Sequence, residues 1–513
     1  MQFFESLLLL LLVAIILLQV SRRLLIPYPS MLALAGIAVA IVPGTPDLTL
    51  DPQIALALFI APALLDAAYD FPLGTARRFW LPLLVFAIGG VVVTTLTVAL
   101  AGWTFAGLPF AAALVLGAIV APPDAAASTA VLSSVSVPRN VDAVLRGESL
   151  FNDAAALLIF TAALSVQSAG ALDGAETASL VLAAPGGILL GVASAWVLRY
   201  LYRFVVGTLG GNILQFVQTF LLWILAERLH LSPVLAIVAF AMTTAYFSDP
   251  LASSARMRVQ SYAVWSVVVF VLNVMAFLLM GMQVRAILAD MEPNHMGEAA
   301  LFAGGVVVIV IVTRFALCIG FNRYEAYAAR RDGRDQPPSF KQAILAGWCG
   351  MRGLLTLATA FALPGDFPNR NVVVLTAFAV VLATVVIQGL SLRYVIQWLR
   401  FDLKGEAGNN LNDLRRDIAI AGLSKLEGAT GDEAELLRTK MRMEKHSLST
   451  EEMTSLKRYR TLALDAIAGQ RQALERLRIE HQLNPDLYNL LLEEIDWREL
   501  SVLPEEERRI EEI

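Results

Sequence analysis

The chain has 513 residues, 57% of them hydrophobic and only 16% charged, with a formal net charge of −5. Globular domains carry about a quarter charged residues, so this balance excludes an ordinary soluble enzyme and offers no basic surface for nucleic acid. Apolar runs of about 20 residues recur along most of the length, which reads as an all-α polytopic membrane protein rather than as soluble domains.

The first run, SLLLLLLVAIILLQV, has no basic segment before it, and Arg22-Arg23 follow it. It therefore reads as a first span with its N-terminus outside rather than as a signal peptide. Further spans are expected over roughly 24–43, 52–69, 80–101, 109–134, 148–168, 179–201, 212–229, 232–247, 261–288, 299–320, 341–363 and 372–398. With 3–20 this makes about 13. Arg22-Arg23, Arg77-Arg78, Arg139 with Arg146, Arg199 with Arg203, Arg256 with Arg258 and the run NRYEAYAARRDGRDQPPSFK fall in alternate loops, and the loops between are acidic or neutral, with Arg228, Arg285 and Arg370 near the outer side as minor exceptions. The positive-inside rule then orients the chain with its N-terminus outside and its C-terminus in the cytoplasm, in the plasma (inner) membrane.

Two domains are expected: a transmembrane domain over 1–400 and a cytosolic α-helical tail over 401–513. The tail is charge-dense and amphipathic. Ser449 with Glu452 resembles a capping box, and Asn484-Pro485 an N-cap followed by proline at the first helical position. No glycine-rich phosphate loop is present, so any ligand or partner of the tail stays open.

The two cysteines, Cys318 and Cys349, lie inside apolar runs and form no zinc or disulfide pattern. His230 and His295 fall in expected loops, and His446 and His481 in the tail. No cofactor is called for, and any intramembrane proton carrier must be a carboxylate. Charges at membrane depth are costly and mark sites or ion pairs. They are Asp66, Asp124, Glu148, Asp153, Arg314 and Arg352.

Asp124 sits in GAIVAPPDAAASTAVL, where Pro122-Pro123 remove two backbone donors and break a helix. Broken backbone at depth must be buried in protein or line a wet cavity. A second loose stretch, GWCGMRGLLTLATA, places Gly347, Gly350 and Gly353 around Arg352. One early and one late interruption suggest inverted repeats with a site between them. In GESLFNDAAALLIF, Glu148 and Asn152 are i,i+4, as are Ser149 and Asp153, which puts four oxygen-bearing side chains on one helix face. Those are hard ligands for a small cation. The alternative is that Glu148 and Asp153 are neutralised by Arg314 and Arg352 and only lock the bundle, and both readings stand for each acid.

These segments together resemble the monovalent cation/proton antiporters of the NhaP and NHE type. APALLDAAYDFP is similar to the family's third-span pattern, VAPPDAAAS to its TDPVA segment, GESLFND to its GES(L)xND motif, FLLMGMQ to its FxxxG span, and CGMRGLLTLA to its GGLRGAxxxA segment. The five occur in the family's order over residues 1 to about 400.

The resemblance implies inverted repeats with two interrupted, crossed helices, spans five and twelve, in a homodimer embedded in lipid. It implies Asp153 as the main cation and proton ligand, assisted by Ser149 and Glu148, with Asn152 bracing the site and Asp124 beside it. A backbone carbonyl near Pro122 and Pro123 would serve as a further ligand, and Arg314 and Arg352 would compensate charge. The implied activity is electroneutral exchange of Na+ for H+ by alternating access, with no enzymatic step. K+ or Li+ could replace Na+, and a K+(Na+)/H+ antiporter of relaxed selectivity or a cation channel are the alternatives. Pro123 stands in the place of the family's Thr and Ala125 in that of its Pro, which bears on cation selectivity. No TVGYG-like filter favours a channel, and the Gly-x-Gly-Asp context of an intramembrane aspartyl protease is absent.

Overall fold

The structure, a computed structural model, describes residues 2–24, 27–41, 51–124, 138–170, 173–202, 204–205, 209–247, 255–283, 285, 287, 296–331, 339–401, 411–435, 437–438, 450–481 and 485–503. Every regular element among them is helical. In lipid a helix satisfies its own backbone polar groups, so continuous apolar sequence has little alternative. The helices are α1 (Gln2–Leu24), α2 (Tyr28–Ile41), α3 (Pro52–Tyr69), α4 (Leu73–Arg78), α5 (Trp80–Phe105), α6 (Phe110–Val120), α7 (Arg139–Ala169), α8 (Gly174–Tyr202), α9 (Leu209–Arg228) and α10 (Pro233–Phe247). They continue with α11 (Ala255–Met282), α12 (Met296–Arg331), α13 (Phe340–Trp348), α14 (Leu354–Phe361), α15 (Arg370–Leu399), α16 (Leu411–Lys425), α17 (Thr450–His481) and α18 (Pro485–Val502). Six of them are long and apolar enough to cross a membrane: α5, α7, α8, α11, α12 and α15. Shorter apolar helices occur in α1, α2, α3, α6 and α10.

The chain divides into two compact units, residues 1–401 and 402–512. In the first, one apolar core gathers α6, α15 and α14 through Val115, Leu116, Ile119, Val380, Val381 and Leu357. A second gathers α3, α9 and α10 through Leu64, Trp223 and Ile237. Helices α2 and α11 cross where Gly36 and Gly281 face each other. A Cβ on Gly36 would strike the Leu278 carbonyl, and one on Gly281 the Ala33 carbonyl, so the backbones approach as only glycine permits.

Two long helices contain a π-helical turn, Val85–Gly90 in α5 and Thr384–Gln388 in α15. Such turns free backbone groups and re-aim side chains, often at functional sites.

The interruptions expected from proline and glycine are present. Helix α6 stops at Val120, and residues 121–124 are non-helical. The opposed stretch 349–353 separates α13 from α14. Ala125 and the second half of the expected span 109–134 lie outside the described residues.

Helix α7 departs from the expectation. It begins at Arg139 rather than near 148, because Asp142 and Arg146 form an i,i+4 ion pair of 3.0 Å that extends the helix through VDAVLR. Glu148 thus stands about 14 Å up the helix instead of in its first turns.

In the second unit α17 and α18 form an antiparallel hairpin around Ile467, Leu474 and Ile495. Arg471 bonds to Asp496 and Glu499 across the pair. Those hydrogen bonds hold its guanidinium above its ordinary value. Helix α18 begins at Pro485, where a proline costs no helical hydrogen bond. Ser449 and Asn484, the expected capping residues, lie outside the described residues, as do His295 and His446.

Candidate functional site

The two interruptions meet. The Asp124 amide donates to the Met351 carbonyl at 2.7 Å, joining stretch 121–124 to stretch 349–353. The fit is close: a Cβ on Gly353 would overlap the Asp124 carboxylate. Glycine at 353 is therefore required by a side chain on the other broken segment.

Arg352 is 1% exposed and spans this junction. Its Nε donates to the Val120 carbonyl at 3.1 Å, one Nη to the Ala121 carbonyl at 3.4 Å, and the other to the Gly350 carbonyl. Val120 ends α6, and Gly350 follows the end of α13. One guanidinium thus takes up carbonyls that a broken helix leaves without amide partners, and sets a positive charge at two negative helix ends. The Arg352 amide donates to Thr384 Oγ1 at 3.0 Å. Thr384 opens the π turn of α15 and in turn donates to the Val380 and Val381 carbonyls.

Helix α7 supplies the polar face. Asn152, fully buried, donates from Nδ2 to the Pro123 carbonyl at 2.7 Å. Pro122 and Pro123 are buried beside it. Asn152 Oδ1 is buried and has no hydrogen-bond partner among the described residues.

Glu148 is engaged by Arg314 of α12 through both carboxylate oxygens, at 2.5 and 2.7 Å, with the two side chains 2% and 4% exposed. The guanidinium lies over the Phe86 ring, 5.5 Å from its centroid, which adds a cation–π contact. Of the two readings open for Glu148, this geometry matches the ion pair.

Asp153 follows Asn152 and is half-buried, as are Ser149 one turn earlier and Asp124. Asp124 and Asp153 lie within electrostatic reach of each other. The Asp153 carboxylate makes no hydrogen bond or ion pair among the described residues. Asp66 is half-buried toward the end of α3. The formal charges of Glu148 and Arg314 cancel within their ion pair.

Thr384, Phe86 and the Met351 carbonyl were not singled out from the sequence. Thr384 and Gln388, polar and four apart in the apolar run VLATVVIQGL, carried a signal of the same kind as GESLFND.

An apolar helical unit in which two helix breaks meet around buried ionic groups is the architecture of a membrane transporter. A model of the transmembrane region of sodium/hydrogen exchangers matches residues 7–398, and the chain belongs to that family of antiporters. It is 28% identical over 432 residues to the sodium, potassium, lithium and rubidium/H(+) antiporter of Bacillus pumilus, a match that covers 80% of this chain and 64% of that protein. It is 30% identical over 417 residues to an uncharacterized Na(+)/H(+) exchanger of Mycobacterium tuberculosis, covering 78% and 75% of the two chains. An uncharacterized Na(+)/H(+) exchanger of Escherichia coli matches at 25% over 540 residues, covering 93% of this chain and 95% of its own. Among solved structures, the sodium proton antiporter MjNhaP1 from Methanocaldococcus jannaschii superposes with a TM-score of 0.56 at 17% identity, covering 78% of this chain and 100% of that one. That likeness shows a shared fold.

Proposed function

We propose that the chain exchanges a monovalent cation, Na+ foremost, for H+ across the membrane in an electroneutral cycle, and that Asp153 carries both ions. The supporting observation is the Asp153 carboxylate, which makes no hydrogen bond or ion pair among the described residues and stands beside Asn152, the residue that binds the broken segment at Pro123. One negative charge is neutralised by one cation or by one proton. It cannot hold both, so the two ions compete for it.

Asn152 Oδ1, Ser149 and Asp124 supply further oxygens, and the Pro122–Pro123 backbone forms the adjoining wall. Asn152 does not titrate, which limits the cycle to one cation per proton. Glu148 with Arg314, and Arg352 at the breaks, hold the site in place. The neutral loaded site moves between the two sides by alternating access, whereas the empty charged site meets a desolvation barrier. Movement only when loaded gives exchange rather than leak.

The companion readings rest on the same fold: two interrupted helices crossing within inverted repeats of about 13 spans, a transmembrane domain over 1–400 with a cytosolic tail over 401–513, a homodimer, and an outside N-terminus. A relaxed selectivity that includes K+ and Li+ is the second reading, favoured by the range of cations for which the Bacillus pumilus antiporter is named.

The test uses purified protein in vesicles with a pH-sensitive dye. A cation gradient drives proton movement uphill in the parent, which a channel cannot do. Asp153→Asn abolishes that movement for Na+, K+ and Li+ alike while the thermal midpoint stays near that of the parent. Exchange retained in Asp153→Asn refutes the assignment.

A further inference from the structure

Helix α17 presents two apolar faces. Ile467 and Leu474 are buried against α18. Leu462, Ala466, Ala473 and Leu477 form a second stripe about 100° round the helix, and it is exposed, Leu462 to 61% and Leu477 to 41%. On α18, Tyr488, Leu492 and Ile495 face α17, whereas Leu487, Leu490 and Leu491 are exposed. In each helix the residues just named lie backward round the axis from the buried stripe, whereas Trp497 and Leu500 of α18 are exposed on its far and forward sides. Because the helices are antiparallel, backward on both is the same side of the hairpin. The hairpin therefore has a bare apolar side to which both helices contribute, the form of half a four-helix bundle.

We infer that this side is closed by the same hairpin of a second copy of the chain, in an antiparallel two-fold contact. The stripe reads alike from both ends. From Leu462 the steps to Ala466 and Gly469 are four and three residues, and from Leu477 the steps back to Ala473 and Gln470 are again four and three. A two-fold axis between 469 and 470 sets Leu462 against the second copy's Leu477, and Ala466 against its Ala473. Such an isologous contact needs a self-complementary surface, and small residues at its centre let the helices approach closely.

Charge selects the same axis. Asp465 and Arg476 are exposed on one flank of the stripe and make no ion pair among the described residues. The axis that pairs Leu462 with Leu477 sets Asp465 beside the second copy's Arg476, twice over. The hairpin register agrees as well. Tyr488 donates to Glu475 Oε1 at 2.5 Å and Arg498 to Gln470 Oε1 at 3.3 Å. Leu490 and Leu491 are thus level with Leu477, and so with the second copy's Leu462, which completes an apolar layer. A lipid-facing helix would carry a uniformly basic border. This border is mixed in sign.

The test uses the full chain in detergent, with cysteine at Gln470→Cys beside the axis or at Ala468→Cys on the opposite side of α17. Cys318 and Cys349 are buried and serve as the silent background. On mild oxidation, Gln470→Cys forms disulfide-linked dimers about tenfold faster than Ala468→Cys. Adding Asp465→Arg, which makes two like-charge contacts, lowers that rate about tenfold. Adding Arg476→Asp to that variant restores it. A merely structural effect of Asp465→Arg gains nothing from the second change. Equal rates at 468 and 470, or no restoration by the charge exchange, overturns the inference. So does loss of the cross-link when anionic lipid vesicles are added, which assigns the face to a membrane surface instead. None of these readouts depends on ion exchange, so the result stands apart from the role of Asp153.

Discussion

Removing one partner of the Glu148–Arg314 pair separates structure from transport. In Glu148→Gln the carboxylate becomes an amide of similar size, and Arg314 keeps its charge without a counter-ion. Both side chains are at most 4% exposed, so solvent does not screen the change. Breaking a buried pair from one side costs about 3–5 kcal/mol. The Phe86 ring offsets only about 1–2 kcal/mol of an unpaired cation. A net loss of about 1–4 kcal/mol is therefore expected, read as a lowered thermal midpoint through thiol-dye labelling of Cys318 and Cys349 as they become exposed. The double variant Glu148→Gln with Arg314→Gln removes the buried charge altogether. It recovers most of the loss and retains measurable exchange, because the neutral pair changes nothing at Asp153. If the single variant is as stable as the parent, or if the double variant folds but exchanges no ions, the pairing argument fails and Glu148 belongs among the cation ligands.

Three further outcomes follow from the junction. Asn152→Ala removes the 2.7 Å bond to the Pro123 carbonyl and leaves that acceptor buried, a cost of about 1–3 kcal/mol; the expected result is a lower thermal midpoint together with a raised half-saturating cation concentration. Gly353→Ala places a methyl group on the Asp124 carboxylate, and is expected to reduce exchange at least about tenfold while Gly365→Ala, at an open position, leaves it unchanged. Thr384→Val keeps the shape of the π turn but deprives the Arg352 amide of its acceptor; a loss of about 1–3 kcal/mol is expected in the same unfolding assay, and Thr384→Ser is expected to restore it.

Much of the site was legible from residue chemistry. Pro122-Pro123 cannot continue a helix, and α6 ends at Val120. Three glycines around Arg352 weaken a helix, and the chain is non-helical over 349–353. Both statements concern local backbone, which local sequence controls. The start of α7 was misplaced for a related reason: hydropathy marks where apolar sequence begins, whereas the helix continues through the polar turns that the Asp142–Arg146 pair supports. The position of Thr384 depends on a π turn that propensity does not signal.

What the sequence determined alone was the helical character, the two breaks and the presence of charges too costly to leave uncompensated in lipid. Those follow from apolar run length, proline and glycine chemistry, and the price of burying charge. It left Glu148 divided between ligand and ion pair. Only the tertiary structure decided which charge faces which, because Glu148 and Arg314 are 166 positions apart and their meeting depends on how α7 packs beside α12. The same packing seats Arg352 on the carbonyls at the end of α6 and leaves the Asp153 carboxylate without a hydrogen bond or ion pair among the described residues.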